Sequence, residues 1–284
     1  MTSERRAIAR VVEAVETSDG AGVRLKRSIG GPRLDHLDPF LLLDEFGSEE
    51  GADYIGGFPD HPHRGFETVT YMLDGLMRHQ DSTGQGGVLG PGGVQWMTAG
   101  RGIVHSEMPE QEEGLMRGFQ LWVNLPARDK MCAPRYQNIE PEDVPEVNRE
   151  DGTVVKVIAG RFDGVAGAVE GIAVDPVYLD VALPAGASFE QAVPEAHNAF
   201  VYPFEGAVEI GAAGTGEGQV VEAGHLAVLG PGGLVAVRAG ETPGRFILVA
   251  GRPIGEPVAR YGPFVMNTRE EIHQAVRDYQ AGRL

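Results

Sequence analysis

The stretch HPHRGFETVTYMLDG (61–75), followed by GPGGVQWMTAGRGIVHSE (90–107), decides how the rest of this 284-residue chain is read. It opens with His61-Pro-His63 and closes on His105-Ser-Glu107, two pairs at spacing i, i+2. On a strand, that spacing puts both members of a pair on one face. The runs TVTYML (68–73), GVQWM (93–97) and MRGFQLWVNL (116–125) are rich in β-branched and aromatic residues, as half-buried strands are. If two neighbouring strands of a barrel each carry such a pair, four donors converge on one interior point. Three neutral imidazoles and a carboxylate form an N3O set that suits one divalent metal: iron(II), nickel, manganese, zinc or copper. A six-coordinate ion held this way keeps two positions open for water, O2 or substrate.

A lone strand histidine is more often a satisfied core or surface residue than a ligand, and it is the convergence of two pairs that favours metal binding. The remaining histidines, His36, His79, His197, His225 and His273, lack such partners and read as surface or structural. The carboxylate stays open at this point. Counting inward from His63 in steps of two places Glu67 inside as well, so Glu107 or Glu67 can supply the fourth donor. Glu67 can equally be an acceptor that orients a ligand imidazole. Arg64 and Arg101 read as solvated strand-edge charges, and Trp96, Met97 and Phe119 as barrel core. Cys132, the one cysteine, rules out an intramolecular disulfide and reads as an inert thiol suited to a reducing compartment.

Composition narrows the function classes. A length of 284 residues suggests two domains, and 42% hydrophobic with 23% charged residues is ordinary for globular proteins. The 41 glycines and 19 prolines are scattered, which suits short strands joined by tight turns. A net charge of −17 repels phosphate backbones and anionic membrane faces, so direct nucleic-acid or membrane binding is not expected. No apolar run is long enough to cross a membrane, and MTSERRAIARVVEAVE (1–16) lacks the apolar core of a signal peptide, so the expected location is cytoplasmic.

The chain also repeats itself. VLGPGGVQWMTAG (88–100) recurs as VLGPGGLVAVRAG (228–240), and YMLDG (71–75) lines up with YPFEG (202–206). Two copies of one all-β fold are therefore expected. The competing explanation is coincidence between Gly-Pro-Gly-Gly turns, which recur in all-β proteins. RDKMCAPRYQNIEPEDVPEVNRED (128–151) is charged and proline-rich. It sets the expected boundaries at 1–133 for the metal-binding domain, 134–152 for a linker and 153–284 for the second domain. Near the end, Thr268-Arg-Glu-Glu271 has the form of a capping box ahead of apolar positions Ile272, Ala275, Val276 and Tyr279, which predicts a short amphipathic helix.

The two motif stretches, with LDPFLLLDEF (37–46), resemble the pirin family of the cupin superfamily, and the likeness covers most of the chain. The resemblance implies two tandem cupin barrels (double-stranded β-helix, jelly-roll) with one metal, typically iron, in the first. It carries the ligand roles onto His61, His63, His105 and Glu107, whereas the general cupin pattern would use the Glu67 position. Aligned through the repeats, the second barrel would carry Ala192, Pro194, Arg245 and Ile247 at the ligand positions and bind no metal. The family implies two activities. One is a quercetin 2,3-dioxygenase-like oxygenase acting on a small aromatic, flavonol-type substrate with O2, with Glu107 or Glu67 taking the flavonol proton. The other is a metal- and redox-dependent regulator that binds a transcription factor or metabolic enzyme as protein partner.

Overall fold

The computed structural model describes residues 4–211 and 218–284. These form two compact units, one of Val15–Pro141 with Ile254–Leu284 and the other of Met1–Ala14 with Glu142–Pro253. Each is an antiparallel jelly roll made of a seven-stranded and a four-stranded sheet. The first strand, β1 (Ile8–Glu13), belongs to the second unit, where it pairs with His225–Leu229. The first unit contains β2 (Val15–Asp19), β3 (Val23–Ile29), β4 (Phe40–Ser48), β5 (Phe58–His63), β6 (Phe66–Asp74), β7 (Met77–Asp81), β8 (Gly86–Leu89), β9 (Val94–Thr98), β10 (Ile103–Pro109), β11 (Met116–Asn124) and β12 (Arg135–Ile139). Its large sheet runs β12-β9-β6-β11-β4-β3-β2, and its small sheet runs β5-β10-β7-β8.

Alternation along the small sheet sets what faces inward. In β7, Met77, His79 and Asp81 are buried between exposed neighbours; in β10, Ile103, His105 and Glu107 are buried. That is the two-residue period of a strand with one face on the barrel interior.

The domain boundaries differ from those expected. The stretch 134–152 is no free linker: β12 pairs with β9 in the first barrel, and Glu146–Asn148 pairs with Val154–Ala159 in the second. β1 covers an edge of the second barrel, and the tail from Ile254 belongs to the first. An uncovered sheet edge presents unpaired N–H and C=O groups, so strands from outside each repeat are recruited to cover it.

The tail is the expected amphipathic helix, α1 (Arg269–Gln280), with both hydrogen bonds of the capping box formed by Thr268 and Glu271. Ile272 and Ala275 pack on Phe264 and Met266. Arg64, expected at a solvated edge, is instead buried and pairs with Asp278 of the helix at 2.9 Å. Arg101 is exposed as expected.

A second buried cation holds the corner beside the histidines. The Lys130 ammonium donates to Gly65 O at 2.7 Å, Asn124 Oδ1 at 2.6 Å and Val265 O at 3.1 Å, which uses all three of its N–H groups. Gly65 has φ 88°, and a Cβ there would meet Val265 O at 1.9 Å. The β5–β6 corner therefore needs glycine for both conformation and space.

The repeat is real at the level of fold, but its register is not that of the repeated sequence. β6 lies between β9 and β11, as Asn198–Glu205 lies between His225–Leu229 and Gly244–Gly251. Trp96 pairs with Val69 as Val228 pairs with Phe200, so β9 corresponds to 225–229. The VLGPGG match would instead equate Trp96 with Ala236, which lies in the small sheet. The two Gly-Pro-Gly-Gly segments are thus turns at non-equivalent places, alike because their backbones need similar residues.

Lys130→Met should leave three acceptors without their cation and cost about 1–3 kcal/mol. Chemical denaturation would show a lower midpoint, and hydrogen exchange should rise first in the hairpin containing Val265. Unchanged stability would contradict the clamp.

Candidate metal centre

β5 and β10 are neighbours in the small sheet, and their register places His105 opposite His61 and Ile103 opposite His63. The three imidazole centroids are 4.5 to 5.0 Å apart. One donor atom from each of His61, His63 and His105 falls within 4.8 Å of the others, and among the described residues this is the one such group of three or more metal-binding side chains. His61 Nδ1 lies 2.8 Å from the carbonyl of Pro59. A carbonyl only accepts, so Nδ1 is the donor here and Nε2 is the nitrogen placed to serve as a ligand.

The other two rings test whether a metal fits. His63 Nδ1 and both nitrogens of His105 are buried without a hydrogen-bond partner. Buried polar atoms are seldom left so, and a cation shared by the three rings would satisfy them. Burial and the neighbouring His105 and His61 hold His63 well below its ordinary range. Burial first, then His61 and His79, pull His105 down to about 3. The rings are therefore neutral at physiological pH, the state a metal requires.

Glu107 shares the inward face of β10 with His105. Thr70 Oγ1 donates to its Oε1 at 2.7 Å, and Gln120 Nε2 donates to its Oε2 at 2.9 Å. Its carboxylate lines the same cavity as His61 and His63 but is outside the 4.8 Å histidine group.

Glu67 is elsewhere. On β6, Thr70 faces Glu107, so Glu67, three positions away, points to the opposite face of the large sheet. It accepts from Thr98 Oγ1 at 2.6 Å, and burial raises its pKa. Stepping by twos from His63 fails because the Arg64-Gly65 corner carries the chain from one sheet to the other and resets which face is inward.

The histidines open onto a cavity of about 600 Å³ walled by Leu25, Leu42, Phe46, Phe58 and Trp122. Trp96, Met97 and Phe119 are buried core and line none of it. The cavity tryptophan is Trp122, whose ring meets His63 edge-on at 5.3 Å. It lies at spacing i, i+2 from Gln120, so both side chains stand on the cavity face of β11, and that spacing is the sequence signal for it. His79 and Asp81 also face inward, opposite Glu107 and His105 across the ladder, with His79 stacked on Tyr136 at 5.8 Å. His36 and His273 are exposed, and His197 is buried in the second barrel. Cys132 is exposed, its thiol pushed up by partial burial and by Glu67.

In the second barrel the ladder gives the equivalent positions directly. Glu107 pairs with Phe58 and His79, while Val237 pairs with Phe189 and Ile210. His105 pairs with His61, while Val235 pairs with Gln191. The positions equivalent to His61, His63, His105 and Glu107 are thus Gln191, Val193, Val235 and Val237, not Ala192, Pro194, Arg245 and Ile247. All three valines are buried. Arg245 instead forks onto Asp180 at 2.7 and 3.0 Å in the large sheet.

Because His63 and His105 are neutral in the fold, the unfolded chain takes up protons first as pH drops below about 6.5. The metal-free protein should lose stability between pH 6.5 and 5, by up to about 1.4 kcal/mol per pH unit for each such histidine. Denaturation midpoints across that range check this, with a shallower slope expected for His105→Leu. A flat profile in the unsubstituted protein would contradict the assignment.

No helix among the described residues is long and apolar enough to cross a membrane. The pirin family profile matches residues 22–123, and the profile of the pirin C-terminal cupin domain matches residues 178–284. A pirin-like protein of Caulobacter vibrioides is 56% identical, over 98% of this chain and 99% of its own. The crystal structure of quercetin 2,3-dioxygenase from Acinetobacter baumannii superposes with a TM-score of 0.88 at 34% identity, covering 98% of both chains. A bacterial pirin from Escherichia coli in complex with nickel(II) shares the fold, with a TM-score of 0.68 at 18% identity over 86% of this chain and 98% of its own. The paired cupin barrels, the histidine cluster confined to the first of them and these likenesses together make this chain a member of the pirin family.

Proposed function

We propose that the first barrel holds one iron(II) ion on His61, His63, His105 and Glu107, and that the protein opens flavonol-type aromatic substrates with O2. The observation that carries this reading is the set of buried, unpartnered imidazole nitrogens at the floor of a cavity large enough for a small aromatic molecule. The similar Acinetobacter protein bears the name quercetin 2,3-dioxygenase, and the Escherichia coli relative was crystallised with nickel(II).

A bound iron(II) would supply Lewis acidity toward a substrate oxygen and a one-electron route to O2. The rest falls to the chain itself. The apolar walls around Trp122 and Phe58 exclude water and take a planar ring. Glu107 is the carboxylate beside the histidines suited to accept the flavonol hydroxyl proton, since Thr70 and Gln120 hold it by both oxygens. Glu67, on the other face of the sheet, takes no part. In the second barrel, three buried valines replace donors, so one metal per chain is expected.

Metal analysis separates the carboxylates. His63→Ala and Glu107→Ala should each lose most of the bound metal, whereas Glu67→Gln should retain it. Full occupancy in Glu107→Ala would remove that residue from the donor set.

Turnover tests the reaction. The iron(II)-loaded protein should consume O2 and release carbon monoxide with quercetin, and His61→Ala should abolish both while the far-ultraviolet dichroism stays that of the folded protein. Turnover no faster than free iron in buffer would sink the oxygenase reading. A partner affinity that differs between the iron(II) and iron(III) forms would then favour the regulatory one.

A further inference from the structure

Two arginines stand in the wall of the metal-centre cavity, and they are in different states. Arg27 is consumed internally: it donates to Asp44 at 2.8 and 2.7 Å and to Asp19 at 2.8 Å. Arg260, on the short strand Ala259–Tyr261, makes no ion-pair contact among the described residues; Asp35, Asp44 and Asp19 act on its charge from further off, and Asp44 and Asp19 are themselves paired with Arg27. Its guanidinium stacks over the Trp122 ring at 4.8 Å and donates once, from Nη1 to the Leu41 carbonyl at 3.2 Å. The remaining N–H groups have no partner among the described residues, while the stack and the single bond fix the plane of the group.

Trp122 links this cation to the metal centre. His63 meets one side of the indole at 5.3 Å and Arg260 lies over it at 4.8 Å, so the guanidinium sits within about 10 Å of the imidazole. A fused two-ring system with one pendant ring spans such a distance, lying along the wall of Phe58, Leu42 and Trp122. Asp60, exposed on the rim beside His61, disfavours an anionic group at that side. Arginine is suited to the other end because its planar fork pairs with oxyanions while stacking on an aromatic face.

We propose that Arg260 is a substrate-recognition residue that pairs with an anionic oxygen, phenolate or carboxylate, at the end of a planar aromatic ligand remote from the histidines. This rests on the substrate class proposed above and narrows it to molecules acidic at both ends. Plain aromatic packing of an exposed arginine on tryptophan is the competing account, and it predicts no preference between charged and neutral ligands.

Quenching of tryptophan fluorescence reads binding directly, since the chain has only Trp96 and Trp122. In the metal-loaded protein at pH 8, quercetin carries acidic hydroxyls remote from its metal-binding oxygen, and 3-hydroxyflavone carries none. Arg260→Gln should weaken quercetin about tenfold, the loss of one charge-assisted contact, and leave 3-hydroxyflavone and the metal content unchanged. Arg260→Lys should restore only part of the difference. A second pair frees the test from the flavonol reading: 2-naphthoate and its neutral amide, titrated into the metal-free chain so that no ion competes for the carboxylate. The naphthoate should bind more tightly than the amide and lose that advantage in Arg260→Gln. If Arg260→Gln weakens charged and neutral ligands alike, or neither, the proposal is overturned. If the naphthoate pair behaves as expected but no flavonol binds, the anion site stands and the flavonol reading fails.

Discussion

Three imidazoles stand together at the barrel interior with donor atoms within 4.8 Å of one another, and buried nitrogens of His63 and His105 find no hydrogen-bond partner in the chain. Desolvation and the neighbouring rings keep His63 and His105 neutral, and neutral imidazoles keep the lone pairs that a metal needs. Much of the surrounding structure serves this arrangement. The β5–β10 register sets His61 across from His105, the Pro59 carbonyl selects the His61 tautomer, and Thr70 with Gln120 immobilises Glu107. Lys130 and Gly65 hold the corner at which β5 leaves the small sheet, directly after His63. The tail helix, tied to Arg64 one residue from His63, braces the same corner.

The second barrel shows what the fold does without that constraint. Its ladder is the same, yet Val193, Val235 and Val237 sit where the first barrel has donors, and they join one continuous apolar core. Each such side chain contributes roughly 1.5–3 kcal/mol on burial, whereas an unfilled imidazole contributes a penalty. One copy is thus built for stability, and the other carries a polar interior that a bound ion would complete.

The His61-Pro-His63 and His105-Ser-Glu107 pairs are legible because their signal is local: the i, i+2 spacing on strands survives whatever the strands pair with. The tail helix was legible for the same reason, through Thr268 and Glu271. What could not be read depends on non-local pairing. A period of two carried across Arg64-Gly65 places Glu67 inside, but the chain changes sheets there. The Gly-Pro-Gly-Gly match suggested a register that the ladder replaces with another, since turn chemistry repeats wherever a backbone bends alike. Chain order alone sorts β1, β12 and the tail by position in the sequence, while edge pairing sorts them by geometry. Trp122 and Arg260 are distant in sequence, and their contact exists only once the carboxyl-terminal hairpin docks.

The central claim is a single ion among His61, His63 and His105, and anomalous diffraction from iron-loaded crystals at the iron edge tests it most directly. The account predicts one strong peak per chain, enclosed by the three imidazoles on the inward face of β5 and β10. A peak elsewhere in the first barrel, or a second of equal height among Gln191, Val193, Val235 and Val237, would contradict it.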